Sequence, residues 1–147
     1  TNVGKDPHLF HLSNSNELFV ACQSGQLYML NGDNLIEISN IPLTGAHGIF
    51  PAPDQNNIFL TNLPGGQLYS VNTSNNTQNG SAINSQGSTP HNIVLNESGN
   101  KMFVTHSGMT VNTLSTYSLS SGLITPETTV TIGTNPFGLA YYKREVK

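Results

Sequence analysis

Short apolar runs that are rich in β-branched and aromatic residues alternate along the whole chain with clusters of Gly, Pro, Asn and Ser. Runs of about four to eight such residues, bounded by turn formers, are typical of β-strands. Nowhere does an apolar period of 3.6 residues persist over about ten positions, as an amphipathic helix requires. The pattern therefore predicts an all-β chain with essentially no helix.

The predicted strands fall into three sets of four. The sets comprise residues 8–12, 17–22, 26–30 and 35–39; residues 47–51, 57–63, 67–72 and 81–84; and residues 91–95, 101–106, 114–119 and 128–132. The sets thus span 8–39, 47–84 and 91–132, and one extra strand is predicted at 137–142. All of them are assigned to a single domain, 1–147.

A dipeptide at the start of each set gives the period of the repeat. Pro7-His8, Ala46-His47, Pro90-His91 and Pro136-Phe137 each open an apolar run, at intervals of 39, 44 and 46 residues. Such a period is that of four-stranded propeller blades. The predicted fold is an arc of a β-propeller with antiparallel four-stranded blades, three of them complete and a fourth represented by its innermost strand.

The third set carries a recognisable motif. Pro-His-Asn-Ile-Val-Leu at 90–95 is followed by Glu-Ser-Gly-Asn-Lys at 97–101 and Met-Phe-Val-Thr-His at 102–106, and the second set has Phe-Leu-Thr-Asn at 59–62. This order resembles the YVTN-type β-propeller repeat, with its Pro-x-Gly-Ile strand, Asp-Gly-Lys turn and Tyr-Val-Thr-Asn strand. The resemblance implies the architecture. It implies no single activity, because this superfamily includes surface proteins, lactonases, lyases and redox domains.

Composition excludes some functions. Only 9% of the residues are charged and the net charge is −3 with neutral histidines, so there is no basic footprint for nucleic acid. The chain contains no stretch of about 18 apolar residues, the length that a membrane-spanning helix needs. Polarity comes from Asn, Ser, Thr and Gln, which predicts an extracellular, periplasmic or cell-surface protein.

Three blades and one extra strand cannot close a ring, since propellers typically have at least four blades. Such an arc would leave apolar sheet faces and unpaired strand edges. We therefore expect a second polypeptide to complete the ring, either a complementary propeller fragment from the same precursor or a second copy of this chain. The fragment is favoured, because two identical arcs would duplicate the Phe137 strand without supplying its blade.

The histidines are the candidate functional residues. In an antiparallel blade the innermost strand starts on the face where the second strand ends. His8, His47 and His91 should therefore lie on one channel face, together with Cys22 and His106. Imidazole is the commonest metal ligand and titrates near neutral pH, so these residues are candidates for binding a divalent metal, copper or another ligand. The alternative interpretation is a polar lining of a wet channel.

Two functions stay open at this point. One is a secreted or surface propeller that acts as a binding or structural module. The other, which the resemblance allows, is a metal-dependent or redox propeller enzyme of lactonase-like, lyase-like or copper- or haem-bearing type. No Gly-x-Ser-x-Gly nucleophile elbow occurs, and no catalytic residue is assigned.

Four asparagines fit the acceptor pattern for N-glycosylation: Asn72, Asn75, Asn79 and Asn96. Three of them lie in or beside the polar stretch 73–80, which predicts an exposed loop at the outer rim.

Overall fold

A computed structural model describes residues 2–144; Thr1 and residues 145–147, at the ends of the predicted domain 1–147, lie outside the described residues. The described part forms thirteen β-strands and no helix. The all-β prediction is therefore confirmed. No candidate for a membrane-crossing helix occurs between residues 2 and 144.

The strands form three antiparallel sheets, here called blades 1, 2 and 3. Blade 1 comprises β1 (Pro7–Leu12), β2 (Glu17–Cys22), β3 (Gln26–Asn31) and β4 (Glu37–Pro42). Blade 2 comprises β5 (Ala46–Pro51), β6 (Asn57–Asn62), β7 (Gln67–Asn72), β8 (Thr77–Gln78) and β9 (Ile83–Asn84). Blade 3 comprises β10 (Pro90–Leu95), β11 (Lys101–His106), β12 (Thr113–Ser120) and β13 (Leu123–Thr131). Each strand pairs with its chain neighbour, except that β8 and β9 both pair with β7.

Two buried clusters join the blades, and the strand period of two explains them. Ile58 and Leu60 on β6 point into the cluster shared with blade 1, where they meet Phe19 of β2. Phe59, between them in sequence, points into the cluster shared with blade 3 and meets Val104. The middle sheet is thus apolar on both faces, which is the arrangement of a propeller arc.

The outermost strands differ from the predicted bounds. In blade 1 the turn after β3 is longer than expected, because the Asn31 side chain accepts the backbone N–H groups of Asp33 and Asn34, and Leu35 takes a φ of 57°. The strand predicted at 35–39 therefore begins at Glu37.

The outer strands of blades 2 and 3 also depart from the sequence-based bounds. In blade 2 the strand predicted at 81–84 is shortened to the two residues of β9, and β8 is an additional two-residue strand within the stretch 73–80 that was predicted to be a loop. In blade 3 the strand predicted at 128–132 begins at Leu123, because Ser121 and Gly122 form a tight hairpin with φ values of 49° and 80°. A register shift opposite Thr116 and Tyr117 accommodates Pro126 within the strand.

The segment after β13 follows the path of a next innermost strand. The backbone oxygens of Pro136 and Phe137 accept hydrogen bonds from Ser107 and Asn92 of blade 3, at 2.8 and 2.7 Å. Residues 137–142 form no strand in the described part of the chain and pair with no neighbouring strand there. The backbone at Pro136 and Phe137 nevertheless packs against blade 3 at the position that the repeat predicts for an innermost strand.

Candidate functional site

Every repeat enters its innermost strand through the same strained turn. The residue two positions before the ring-bearing residue has a left-handed backbone in all four repeats: Asp6, Gly45, Thr89 and Asn135, with φ of 53°, 69°, 50° and 53°. This conformation is uncommon outside glycine and is least expected for a β-branched residue such as Thr89. Its fourfold recurrence shows that residue 137 stands in the same structural position as the three histidines.

Each of the three histidines lies in a β-bulge. In blade 2 the register passes from Ala46 opposite Asn62 to Ile49 opposite Leu60, so His47 and Gly48 together face Thr61. Blade 3 has the same shift after Pro90, and blade 1 has it after Pro7. A bulge adds one residue, bends the strand and redirects a side chain. Here it redirects the imidazole of each blade in the same way.

A threonine hydroxyl fills the bulge of blade 2 and connects it to blade 3. Thr61 Oγ1 accepts the Gly48 N–H at 2.8 Å and donates to the His91 carbonyl oxygen at 2.9 Å, and both bonds are buried. A Cβ on Gly48 would stand 2.2 Å from that same oxygen, so the innermost strands approach this closely only because residue 48 has no side chain. Thr61 thereby sets the position of His91 relative to His47.

The same pair of hydrogen bonds recurs in blade 3 with longer distances. Thr105 Oγ1 accepts the Asn92 N–H at 3.3 Å and donates to the Phe137 carbonyl oxygen at 3.4 Å. Blade 1 has Ala21 at the equivalent position and therefore no hydroxyl to offer. Thr61, Thr105 and Gly48 are not among the predicted site residues. The available signal was the threonine before the last residue of the second strand in blades 2 and 3, where blade 1 has Ala21.

Four rings lie in contact in one row, which we call the ring column: His8, His47, His91 and Phe137. Ring centroids are 3.5 Å apart between His8 and His47, 4.3 Å between His47 and His91, and 4.0 Å between His91 and Phe137. Three of the predicted site residues thus lie together, as the topology required. The fourth position holds a phenyl ring.

The two inner histidines of the column are removed from solvent. His47 is 1% exposed and His91 is 5% exposed, whereas His8 lies at the open end. Burial, with the neighbouring rings of His8 and His91 as lesser causes, lowers the pKa of His47 to about 4. Burial also lowers the pKa of His91. Both rings are therefore neutral at pH 7, and the Nδ1 atom of each is buried without a hydrogen-bond partner.

His106 belongs to a different network. Its Nδ1–H donates to the Ser88 carbonyl oxygen at 3.1 Å, and its Nε2 accepts from Ser115 Oγ at 2.9 Å. Gly87 packs against the ring, because a Cβ there would come within 2.8 Å of Nδ1. The network ties the connection between blades 2 and 3 to β12. Both ring nitrogens of His106 are therefore engaged in hydrogen bonds within the protein.

Cys22 also lies apart from the column's ring contacts. It is a buried free thiol at the end of β2, and burial raises its pKa. A raised pKa disfavours the thiolate that a metal ligand requires. The packing is that of a small strand residue.

A preformed metal centre is not found in the described residues, where no three His, Cys, Asp or Glu side chains are grouped so as to hold a metal ion. Imidazoles on one tetrahedral metal, with metal to nitrogen distances of about 2.0–2.1 Å, would have centroids roughly 5 Å apart. The neighbouring rings of the column are closer than that. Tilted and edge-to-face contacts at these distances suit direct packing of the rings better than shared coordination.

The four asparagines that fit the N-glycosylation pattern differ in whether their side-chain amide nitrogen donates hydrogen bonds. Asn79 Nδ2 donates to Asn57 and Ser70, and Asn96 Nδ2 donates to Ser98 and Asn100. Asn72 and Asn75 engage through their Oδ1 atoms, which accept from the hydroxyl two residues later at 2.7 Å. The exposed Asn75 has the geometry best suited to modification.

No protein-family profile and no curated protein sequence matches this chain. Solved structures do resemble it. Hydrazine synthase of Kuenenia stuttgartiensis superposes with a TM-score of 0.79 at 15% identity, over 92% of this chain and 40% of that one. The periplasmic gluconolactonase PpgL of Pseudomonas aeruginosa gives a TM-score of 0.79 at 16% identity, over 92% and 42%. A Lactobacillus plantarum protein gives 0.72 at 24% identity, over 85% and 41%.

At these identities the likeness shows the fold alone, which is that of the β-propeller. It supports the lactonase-like propeller fold and does not single out the YVTN repeat. The chain spans about two fifths of the length of these structures.

Replacing Thr61 by valine should destabilise the protein by about 2–6 kcal/mol, because the buried Gly48 N–H and His91 carbonyl would each lose a partner at ~1–3 kcal/mol. Thr105→Val is the matched control, and its longer bonds predict a loss of ~1 kcal/mol or less. Urea denaturation of both variants measures this difference. Equal losses would mean that the Thr61 bridge has no special role.

Folding stability should fall as the pH drops from about 6.5 toward about 4. The unfolded chain takes up protons on His47 over this range while the folded chain does not, which amounts to roughly 3 kcal/mol. The buried His91 and His106 act in the same direction. Denaturation curves between pH 7 and 5, above the range of ordinary carboxylates, should show the slope, and His47→Gln should flatten it. A wild-type profile that is flat over this interval would contradict the assignment.

Proposed function

We propose that this chain is a sector of a closed, secreted or surface-exposed β-propeller whose channel face binds a ligand at the ring column. The observation that carries the proposal is the stack of His8, His47 and His91, built from three separate blades by one repeated bulge. A structural core would fill such a position with aliphatic side chains. Two buried imidazole nitrogens without partners are costly unless a ligand uses the rings.

Exposed apolar residues support closure by further blades. On the side of blade 1 that faces away from blade 2, Phe10 is 71% exposed and Leu12 is 52% exposed. On the outward side of blade 3, Val130, Phe137 and Tyr142 are exposed. Large apolar side chains on two opposite sheet faces suit packing against neighbouring blades. Further blades from a complementary propeller fragment, in the same polypeptide or a separate one, would pack on both faces. A second copy of the sector is the alternative.

The surroundings of the protein belong to the same proposal. The few charges and the many Asn, Ser and Thr side chains suit an extracellular, periplasmic or cell-surface location. The resemblance in fold to a structure described as a periplasmic gluconolactonase agrees with that location.

A propeller enzyme is the second candidate, because solved structures of this fold include a gluconolactonase and a hydrazine synthase. In that case the neutral imidazoles of His47 and His91 would serve as proton acceptors or as ligands to a divalent metal or copper. The centroid spacing of the column favours ligand binding over coordination.

Ligand binding at the column predicts a specific loss in variants. A thermal-shift screen of the complete protein with hexoses, sugar acids, amino acids, Zn²⁺ and Cu²⁺ should yield at least one stabilising compound. Its effect should vanish in His47→Gln and His91→Gln and persist in His106→Gln, whose ring lies in the structural network. A stabilising compound that is unaffected by the two column variants would place the site elsewhere, and a metal ion as the sole hit would favour the enzyme.

Closure predicts that Phe10 is buried in the complete protein. Phe10→Ala should then cost about 3 kcal/mol or more in urea denaturation, similar to Phe59→Ala at the interface between blades 2 and 3. A cost below about 0.5 kcal/mol, the usual limit for an exposed site, would show that no blade covers this face. A stable monomer of 15.8 kDa formed by these 147 residues alone would contradict closure as well.

A further inference from the structure

Two clefts lie on the face of the arc opposite the ring column. In each blade the innermost strand begins at the ring column and ends at the turn into the second strand, so these turns lie on the other face. The cleft between blades 1 and 2, here called cleft 1, has a volume of about 440 Å³. The cleft between blades 2 and 3, here called cleft 2, has a volume of about 300 Å³. Both volumes fall in the range of small-molecule binding sites.

The two clefts occupy equivalent positions in the repeat. Each is bounded by the turn after the innermost strand of one blade, by the corresponding turn of the next blade, and by the turn that leaves the third strand of that next blade. The residues that line cleft 1 lie within 13–17, 54–56 and 73–74, and those that line cleft 2 lie within 52–59, 98–99 and 119–122. The turn between β5 and β6 thus contributes to both clefts, and Asp54 lines both.

Contacts within and between the described blades hold the walls of the clefts in place. Across cleft 1, the Asn14 N–H donates to Gln55 Oε1 at 2.7 Å, and Thr73 Oγ1 donates to the Gln55 carbonyl oxygen at 2.7 Å. In cleft 2, Gly99 packs against Pro53, because a Cβ on Gly99 would stand 2.5 Å from Pro53 Cδ. The walls come from blades 1, 2 and 3, so the clefts form without further blades.

The groups that line the clefts suit a polyhydroxylated ligand. Cleft 1 offers hydroxyl, amide and carboxylate groups: Ser13, Ser15, Glu17, Asn56, Thr73 and Ser74. Cleft 2 has buried apolar side chains, Phe59 and Leu119, beside the exposed residues Asp54, Ser120 and Ser121. Hydroxyls and amides can both donate to and accept from the hydroxyls of a sugar. The apolar side chains suit the C–H groups on the face of a sugar ring.

The charge of the clefts favours a neutral ligand over an anion. Among the described residues, no lysine, arginine or histidine lines either cleft. Both ion pairs described within residues 2–144 lie outside the clefts, so Asp54 has no cationic partner there. Its carboxylate accepts the N–H and the Nδ2 of Asn56 at 3.0 and 2.9 Å. The remaining lone pairs can accept hydrogen bonds from ligand hydroxyls.

We infer that clefts 1 and 2 each bind a neutral sugar unit, and that together they bind one oligosaccharide chain. This site is separate from the ring column and goes beyond the proposed function. The sugar hydroxyls donate to Asp54 and exchange hydrogen bonds with the serine and threonine hydroxyls of the clefts. Because the two clefts share the turn between β5 and β6, binding of the second sugar unit is intramolecular, which raises the affinity of the chain. No covalent bond forms or breaks.

Calorimetric titration of the complete protein with oligosaccharides tests the inference. The probes are hexasaccharides of glucose, galactose, mannose, xylose and N-acetylglucosamine, in α- and β-linked forms. At least one should bind, and at least about tenfold more tightly than its disaccharide. The anionic hexagalacturonate should bind at least about tenfold more weakly than that neutral probe. Absence of binding by every neutral probe, or tighter binding of hexagalacturonate, would overturn the inference.

Variants assign the binding to the clefts. Asp54→Asn keeps an oxygen for the Asn56 N–H and removes the charge from both clefts, so the hexasaccharide affinity should fall at least about fivefold. Ser74→Trp fills cleft 1 and Ser120→Trp fills cleft 2, and each should lower the hexasaccharide affinity to about that of the disaccharide. Thr110→Trp, at an exposed position on the ring-column face, is the matched control and should leave the affinity unchanged.

Unchanged affinity in all three cleft variants would contradict the inference, and a loss in only one tryptophan variant would show that a single cleft binds sugar. If a variant does not fold, NMR of the wild type replaces it. The amide signals of Ser74 and Ser120 should then shift on saturation with the hexasaccharide, whereas that of Thr110 should not.

A polyamine is the other ligand that an unpaired carboxylate could attract, and spermine is the probe for it. Binding of spermine that is lost in Asp54→Asn, together with no binding of a neutral hexasaccharide, would make the clefts a cation site and overturn the inference.

Discussion

The hydroxyl of Thr61 is the interaction on which the arrangement of the channel face depends. It accepts a hydrogen bond from the backbone at the bulge of blade 2 and donates one to the backbone at the bulge of blade 3. Since each bulge carries an imidazole, one side chain determines both the spacing of two blades and the contact between two rings. The absence of a side chain at Gly48 allows the strands to approach closely enough for this bond. Blade 1 lacks the hydroxyl, and its His8 is the exposed histidine of the column.

The ring column combines close contact with neutrality. Imidazoles whose centroids are 3.5 and 4.3 Å apart can pack in this way while they are uncharged, and burial keeps His47 and His91 so at pH 7. Protonation of these rings therefore destabilises the folded chain.

The histidines illustrate why equal residue types take different roles. His91 and His106 belong to one blade, and their strands pair beside each other at this end of the sheet. The bulge directs His91 toward the neighbouring rings, whereas His106 lies on the regular second strand and faces Ser88 and Ser115. Hydrogen bonds at both nitrogens make His106 part of the packing. Sheet topology places residues at a common end of a sheet, but the local backbone decides the direction of each side chain.

Much of the architecture followed from the sequence by itself. The strand period and the turn residues predicted antiparallel four-stranded blades, because alternation of apolar and polar residues is a local property of the sequence. The recurrence of a Pro/Ala-His pair predicted that His8, His47 and His91 share one face, because a repeat of fixed length is also visible in the sequence. The tertiary structure alone decided the outer strands, where side-chain hydrogen bonds of Asn31 and the hairpin at Ser121 moved the boundaries. It also separated His106 from the column and revealed the threonine bridge. These features depend on bulges and on contacts between blades, which no local pattern of apolar and polar residues encodes.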